Sequence, residues 1–133
     1  FIKSNETGEY FFLETSSRVG GANLAEMVEF ASGINLWGEW ARIENAVLRD
    51  IPYDLPEVKE KYSGIVVSLS RFEWPDTSSF TEPELVWRMK KPWHIGLIVQ
   101  ADTRERVLEL LDHYTKRIGG EFHASAPAPD KHD

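Results

Sequence analysis

The stretch that decides the fold runs Tyr10-Phe11-Phe12-Leu13-Glu14-Thr15-Ser16-Ser17-Arg18-Val19-Gly20-Gly21. Its first half is aromatic and apolar, which is typical of a β-strand, and the paired glycines end that pattern. A second apolar run covers residues 1–3, and the residues between the two runs have the chemistry of a turn. The sequence therefore predicts a β-hairpin made of residues 1–3 and 10–15.

Polar side chains follow one another at intervals of two in this stretch. Glu14, Ser16 and Arg18 project from one face if the strand stays extended that far. A carboxylate and a neutral oxygen suit Mg²⁺, which takes one or two protein carboxylates together with phosphate oxygens and water. The guanidinium of Arg18 suits a carboxylate or a phosphate, and Gly20 and Gly21 let the backbone approach an anion. The competing interpretation is a surface carboxylate with Arg18 as its salt-bridge partner.

Two helices are predicted directly after the glycines. Asn23 and Glu26 have the spacing of a capping box, and Gly33 stands where a helix ends in a left-handed residue. A second helix is expected to begin near Asn35, and its apolar positions recur every three or four residues. Those positions are Leu36, Trp37, Trp40, Ala41, Ile43, Val47 and Leu48. Tryptophans 37, 40 and 87 are expected in the core.

The second half of the sequence predicts an arrangement of the α+β class. Apolar alternation indicates three strands over 65–69, 85–89 and 93–99, which we expect to form a small antiparallel sheet of three or four strands. Asp102 and Glu105 predict the start of a helix over 103–118, and Gly119-Gly120 is expected to stop it. Residues 121–123 are candidates for a short additional strand, and residues 124–133 for a flexible tail.

Composition excludes several classes of protein. The formal charge of −7 disfavours a general nucleic-acid or anionic-membrane binder, and no apolar run reaches the roughly 20 residues that span a bilayer. Cysteine is absent, so a reducing, cytoplasmic setting is expected. The histidines lack metal-site spacing, and His94 is expected to be an exposed strand residue rather than a ligand.

The order strand, Glu-x-Ser-x-Arg, glycine pair and helix resembles the ATP-grasp ligases, whose strand ends in Glu-x-Asn-x-Arg. Residues 22–36 also resemble the helix and the glycine-containing turn of the carboxylate–amine ligase and biotin-carboxylase-like branches. The resemblance implies that residues 1–50 are the C-terminal part of an ATP-grasp lobe. Residues 51–123 would then be the small sheet and helix that follow it, with residues 124–133 as the tail.

The resemblance also implies roles for single residues. Glu14 would bind Mg²⁺ that bridges the phosphates of ATP, and Ser16 stands where the family usually has Asn, so a water-mediated metal contact is expected. Arg18 would be the catalytic residue that holds an acyl phosphate or the substrate carboxylate. Gly20 and Gly21 would lie near the nucleotide, and Leu13 would pack either near the nucleotide or in the core.

The implied reaction activates a carboxylate with ATP, and an amine or similar nucleophile then displaces phosphate. The family's other metal carboxylate and its phosphate-binding lysines would precede Phe1. We therefore expect this chain to be an inactive piece of a longer enzyme that binds neither nucleic acid nor membrane, with homodimerisation left open. The rival hypothesis is a non-catalytic regulatory or dimerisation module of the β-β-α-β type over residues 80–123.

Overall fold

A computed structural model describes residues 1–14 and 18–125, so Thr15, Ser16, Ser17 and residues 126–133 lie outside the description. The strands are β1 (Ile2–Lys3), β2 (Tyr10–Phe11), β3 (Tyr62–Leu69), β4 (Leu85–Arg88) and β5 (His94–Ala101). The helices are α1 (Leu24–Ser32), α2 (Leu36–Arg49) and α3 (Arg104–Glu121). The predicted α+β class with antiparallel sheets is confirmed.

The N-terminal hairpin is shorter than its sequence predicts. Ile2 faces Phe11 and Lys3 faces Tyr10, and the strand ends there rather than continuing towards residue 15. The reason is that β1 offers only two residues to pair with. The intervening turn is closed by the Ser4 hydroxyl, which accepts from the backbone N–H groups of the residues two and three positions on.

The caps of α1 and α2 differ from one another. Asn23 adopts a left-handed conformation with φ of 63° and its side chain makes no capping hydrogen bond, so the predicted capping box is wrong. A capping side chain needs an extended backbone, and Asn35 has one: its side chain accepts from the N–H of Gly38 at 2.8 Å. Gly33 ends α1 as predicted, with φ of 75° and its N–H donated to the carbonyl of Glu29.

The larger sheet has the order β3-β5-β4, so β5 is its central strand. All eight residues of β3 pair with β5, while β4 is short and its register shifts at Val86. The additional strand expected near residue 123 is a single bridge between Ser70 and His123. The three predicted strands are therefore confirmed, with one isolated bridge beside them.

Helix α3 covers one face of this sheet and encloses the main core. Its start is capped by the Thr103 side chain, not by Asp102, and it continues through Gly119-Gly120 to Glu121, so both predicted ends are wrong. The last turn is held by burial of Ile118 and Phe122, which outweighs the helix cost of two glycines of about 1 kcal/mol each. The core consists of Phe80, Ile95, Leu97, Val99, Val107, Leu110, Tyr114, Ile118 and Phe122.

Helix α1 lies on the opposite face of the sheet. Gln100 points away from the α3 core, since its neighbour Val99 points into it, and its side-chain amide donates to the carbonyl of Phe30 in α1. The C-terminal end of α1 also accepts backbone hydrogen bonds from Lys59 and Lys61, immediately before β3. Helix α2 packs against α1. None of the helices in the described ranges is long and apolar enough to cross a membrane.

Candidate functional site

Arg18 lies on the wall of an open hollow of about 310 Å³, which is formed by the segment that precedes α1 and by helix α2. The side chain is exposed, and the hollow is otherwise lined by Val19, Leu36, Glu39, Trp40 and Ile43. In the described part of the chain, Arg18 forms no ion pair within 4.0 Å. The guanidinium is therefore accessible to an incoming anion.

The turn between Arg18 and α1 is unusually strained. A Cβ atom added to Gly21 would lie 3.9 Å from Nη1 of Arg18, which places the guanidinium beside the glycine pair. Ala22 and Asn23 follow with φ of 54° and 63°, and a positive φ costs alanine about 1–3 kcal/mol, whereas asparagine adopts it more readily. Such strain concentrates at functional sites.

The first turn of α1 opens onto this strained segment. Leu24 donates its N–H to the carbonyl of Gly21, and Asn23 supplies no side-chain acceptor. The N–H groups of Ala25 and Glu26 have no acceptor within the helix, because the first turn of a helix always leaves such donors. A Cβ at Gly20 would come within 3.2 Å of the Leu24 Cβ, so glycine permits the close approach of the segment before α1 to the helix.

Glu14 and Leu13 follow β2 outside the paired strand. Both side chains are exposed, Leu13 to 62%, so neither belongs to the core. Ser16 lies outside the described residues, and the common strand face predicted for Glu14, Ser16 and Arg18 does not extend from β2, which ends at Phe11. The structure thus brings Arg18 together with Gly21 and the α2 hollow.

The donor atoms present fit part of a magnesium site. No group of three or more His, Asp or Glu side chains that could hold a metal occurs among the described residues. Glu14 offers one accessible carboxylate. Because Mg²⁺ usually takes only one or two protein carboxylates and completes its shell with phosphate and water, a single carboxylate suits a partial site rather than a closed one.

The wall of the hollow is fixed by hydrogen bonds that the sequence pattern does not reveal. The Glu39 carboxylate accepts from Arg42 and from the Tyr53 hydroxyl, each at 2.7 Å. The bond to Glu39 raises the pKa of the Tyr53 phenol, which keeps it a neutral donor. The indole N–H of Trp40 donates to Glu44 at 3.0 Å. The i, i+3 spacing of Glu39 and Arg42 and the i, i+4 spacing of Trp40 and Glu44 are the signals that the sequence offers for these contacts.

The two tryptophans of α2 are not core residues. Trp37 and Trp40 stack with ring centroids 5.8 Å apart, and they remain 53% and 40% exposed. The core prediction is wrong for both, because α1 is the main element that packs against α2 in the described structure, whereas Trp87 on β4 is half-buried. The exposed stripe of α2 is what gives the hollow its apolar wall.

Neither His94 nor His113 adds a further site. His94 is half-buried rather than exposed, and its Nδ1 lies 2.8 Å from the carbonyl oxygen of Pro92. His113 faces Glu82 with 3.7 Å between Nε2 and Oε1. These contacts are local structural ones.

Comparisons with protein families, with curated proteins and with solved structures found no match for the chain.

Proposed function

We propose that residues 1–50 are the C-terminal part of the ATP-binding lobe of an ATP-grasp ligase, which activates a carboxylate with ATP and Mg²⁺ in the cytoplasm. One structural observation supports this proposal in addition to the order of the residues in the sequence. Exposed Arg18 lies against Gly21, directly before two left-handed residues and the open first turn of α1. An accessible guanidinium, a glycine and helix N–H groups together favour an anion.

Each residue of this site has a physical role in the proposal. Arg18 holds the carboxylate or the phosphate through charge-assisted hydrogen bonds, and Gly20 and Gly21 let the anion approach the backbone. Glu14 binds the metal with Ser16 reaching it through water, and exposed Leu13 lies near the nucleotide. When bound, Mg²⁺ neutralises charge on the transferring phosphoryl group.

The first experiment replaces the metal carboxylate in the intact protein. Glu14→Gln is expected to lower ATP-dependent phosphate release by about 10²-fold or more, because several kcal/mol of charge stabilisation are lost. The melting temperature should stay unchanged, since Glu14 is exposed and makes no described ion pair. Glu6→Gln is the matched control, an exposed carboxylate in the hairpin turn. Normal turnover in Glu14→Gln would show that Glu14 does not bind the metal.

The second experiment tests Arg18 and the reaction itself. Arg18→Lys keeps the charge but loses the planar fork, so turnover should fall while Arg49→Lys, on the exposed end of α2, leaves it unchanged. Phosphate release should be screened against panels of carboxylic acids and amines. A protein that releases no phosphate with any combination would contradict the ligase proposal.

The rival function is a regulatory or dimerisation module, and one observation favours it. All nine residues of the main core lie within 80–122, with Val66 of β3 packed against them, so residues 62–122 enclose this core. Sedimentation of the intact protein tests this second function. A stable dimer that releases no phosphate would favour the module, whereas a phosphate-releasing monomer would exclude it.

A further inference from the structure

A second hollow lies far along the chain from Arg18, where the loop after β3 meets the end of β4. It encloses about 390 Å³ and is called the Trp74 hollow below. Its lining consists of Trp74, Pro75, Asp76, Thr77, Arg88, Met89, Lys90 and Lys91. The chain carries a net charge of −7, yet three of its cations fall within four residues here.

Hydrogen bonds join the walls of the Trp74 hollow to the sheet. Arg88 donates to the carbonyls of Thr77 and Phe80, the second at 2.6 Å, and the Phe80 ring is fully buried in the core. On the other side, Trp93 donates its N–H to the carbonyl of Glu73 and accepts from the N–H of Ser70, both at 2.8 Å. The loop and the turn after β4 are therefore tied to the sheet and to each other.

The turn at Trp93 is strained as well. Trp93 has φ of 60°, and a bulky residue with positive φ is a genuine outlier that persists only where the surroundings impose it. This conformation sets the course of the chain immediately after Lys90 and Lys91. The two lysines are thereby positioned at the hollow by the backbone.

The lining of the hollow carries more positive than negative charge, with three cations and one carboxylate. Asp76 accepts from the backbone N–H of Ser78 at 2.8 Å, and this bond lowers the pKa of its carboxyl group. Arg88 is occupied by loop carbonyls. Lys90 and Lys91 are exposed and form no ion pair in the described ranges. Two exposed ammonium groups and the Arg88 guanidinium therefore outnumber the single ionised carboxylate of Asp76.

Trp74 supplies a flat apolar surface next to these ammonium groups. Its side chain is 64% exposed, and it stacks on no other aromatic ring within the described residues. We propose that the Trp74 hollow binds a planar aromatic anion, with the ring of the ligand on Trp74 and its anionic group at Lys90 and Lys91. This site is separate from the proposed ligase site and does not depend on it.

The test uses the whole chain and follows its amide and indole NMR signals during titration with 2-naphthoate. Naphthalene-2-methanol is the uncharged control, and cyclohexanecarboxylate is the anion without a planar ring. With 2-naphthoate alone, the signals of Trp74 and of residues 75–77 and 90–91 should shift, with a Kd of about 1 mM or below. Equal binding of all three compounds would overturn the proposal, and so would the absence of any shift at a 2-naphthoate concentration of about 1 mM.

Variants locate the binding. Trp74→Ala should weaken it about tenfold, because stacking on an aromatic side chain contributes about 1–3 kcal/mol. Lys90→Ala and Lys91→Ala should each weaken it about threefold, less so at high salt. Trp37→Ala and Lys116→Ala, exposed residues of the same types elsewhere, should leave it unchanged. Shifts that persist in Trp74→Ala, or that centre on α2, would refute the assignment.

Discussion

Gly64 on β3 offers the most direct test of how α3 packs on the sheet. A Cβ atom at this position would lie 2.7 Å from Cδ1 of Leu111 and 2.8 Å from Cγ1 of Val107. Both distances are shorter than a carbon–carbon contact allows, so Gly64→Ala forces side chains or the helix to move. The end of Leu111 can rotate away, but the β-branched Val107 is stiff at χ1 and only 4% exposed.

The expected cost of Gly64→Ala follows from this overpacking. Inserting a methyl group into a packed interior usually costs about 1–3 kcal/mol, which exceeds the gain of about 0.4–1 kcal/mol from removing a glycine. Chemical unfolding in urea, followed by tryptophan fluorescence, measures the difference. At this chain length each kcal/mol also lowers the melting temperature by roughly 4 °C.

A matched control separates packing from glycine chemistry. A Cβ at Gly119 in α3 would meet no atom within 4 Å, and its φ is not left-handed. Gly119→Ala should therefore stabilise the protein by about 0.5–1 kcal/mol, because alanine favours the helix. If Gly64→Ala is as stable as Gly119→Ala, α3 does not press on β3 at this position and the described packing is wrong.

Two further predictions concern caps and buried carboxylates. Asn35→Ala should cost about 1 kcal/mol in urea unfolding by removing the cap of α2, whereas Asn23→Gly should not destabilise, since its φ is 63° and it caps nothing. An Asn35→Ala protein as stable as the parent would refute this cap. Tyr114→Phe should cost about 1–3 kcal/mol, because its hydroxyl donates to Glu82 at 2.7 Å. That bond lowers the pKa of Glu82 below its ordinary value of 4.5, so its contribution is present above that pH and is lost as the pH falls through the folded pKa. The urea midpoints of the parent protein and Tyr114→Phe should therefore differ above pH 4.5 and converge as the pH is lowered below it. A difference that stays constant with pH would contradict the coupling between this hydrogen bond and the ionisation of Glu82.

Regular elements could be predicted where local pattern and burial agree. The stripe of α2 and the alternation of β5 fixed their types, and the positions of Gly33 and Asn35 fixed the boundary between α1 and α2. These signals depend only on neighbouring residues. They therefore survive without knowledge of the tertiary structure.

The errors arose where tertiary contacts overrode the local pattern. Gly119-Gly120 should end a helix, but Phe122 packs against Phe80 and Phe72 and holds the last turn of α3 in place. Burial of that ring contributes more than the glycines cost. A periodic stripe likewise predicts which face of α2 is apolar, but not whether anything covers it, which is why Trp37 and Trp40 were misplaced.

In the candidate site, too, the sequence predicts the order of the residues but not the backbone conformations that the tertiary structure imposes on them. The order of Glu14, Arg18 and the glycine pair can be read from the sequence, because it is a matter of residue type. The left-handed conformations of Ala22 and Asn23 cannot, since alanine has no preference for them. That strain must be repaid by the docking of α1 on the sheet, through Phe30 and the backbone bonds before β3. The geometry around Arg18 therefore depends on α1 more than on the hairpin that precedes the motif.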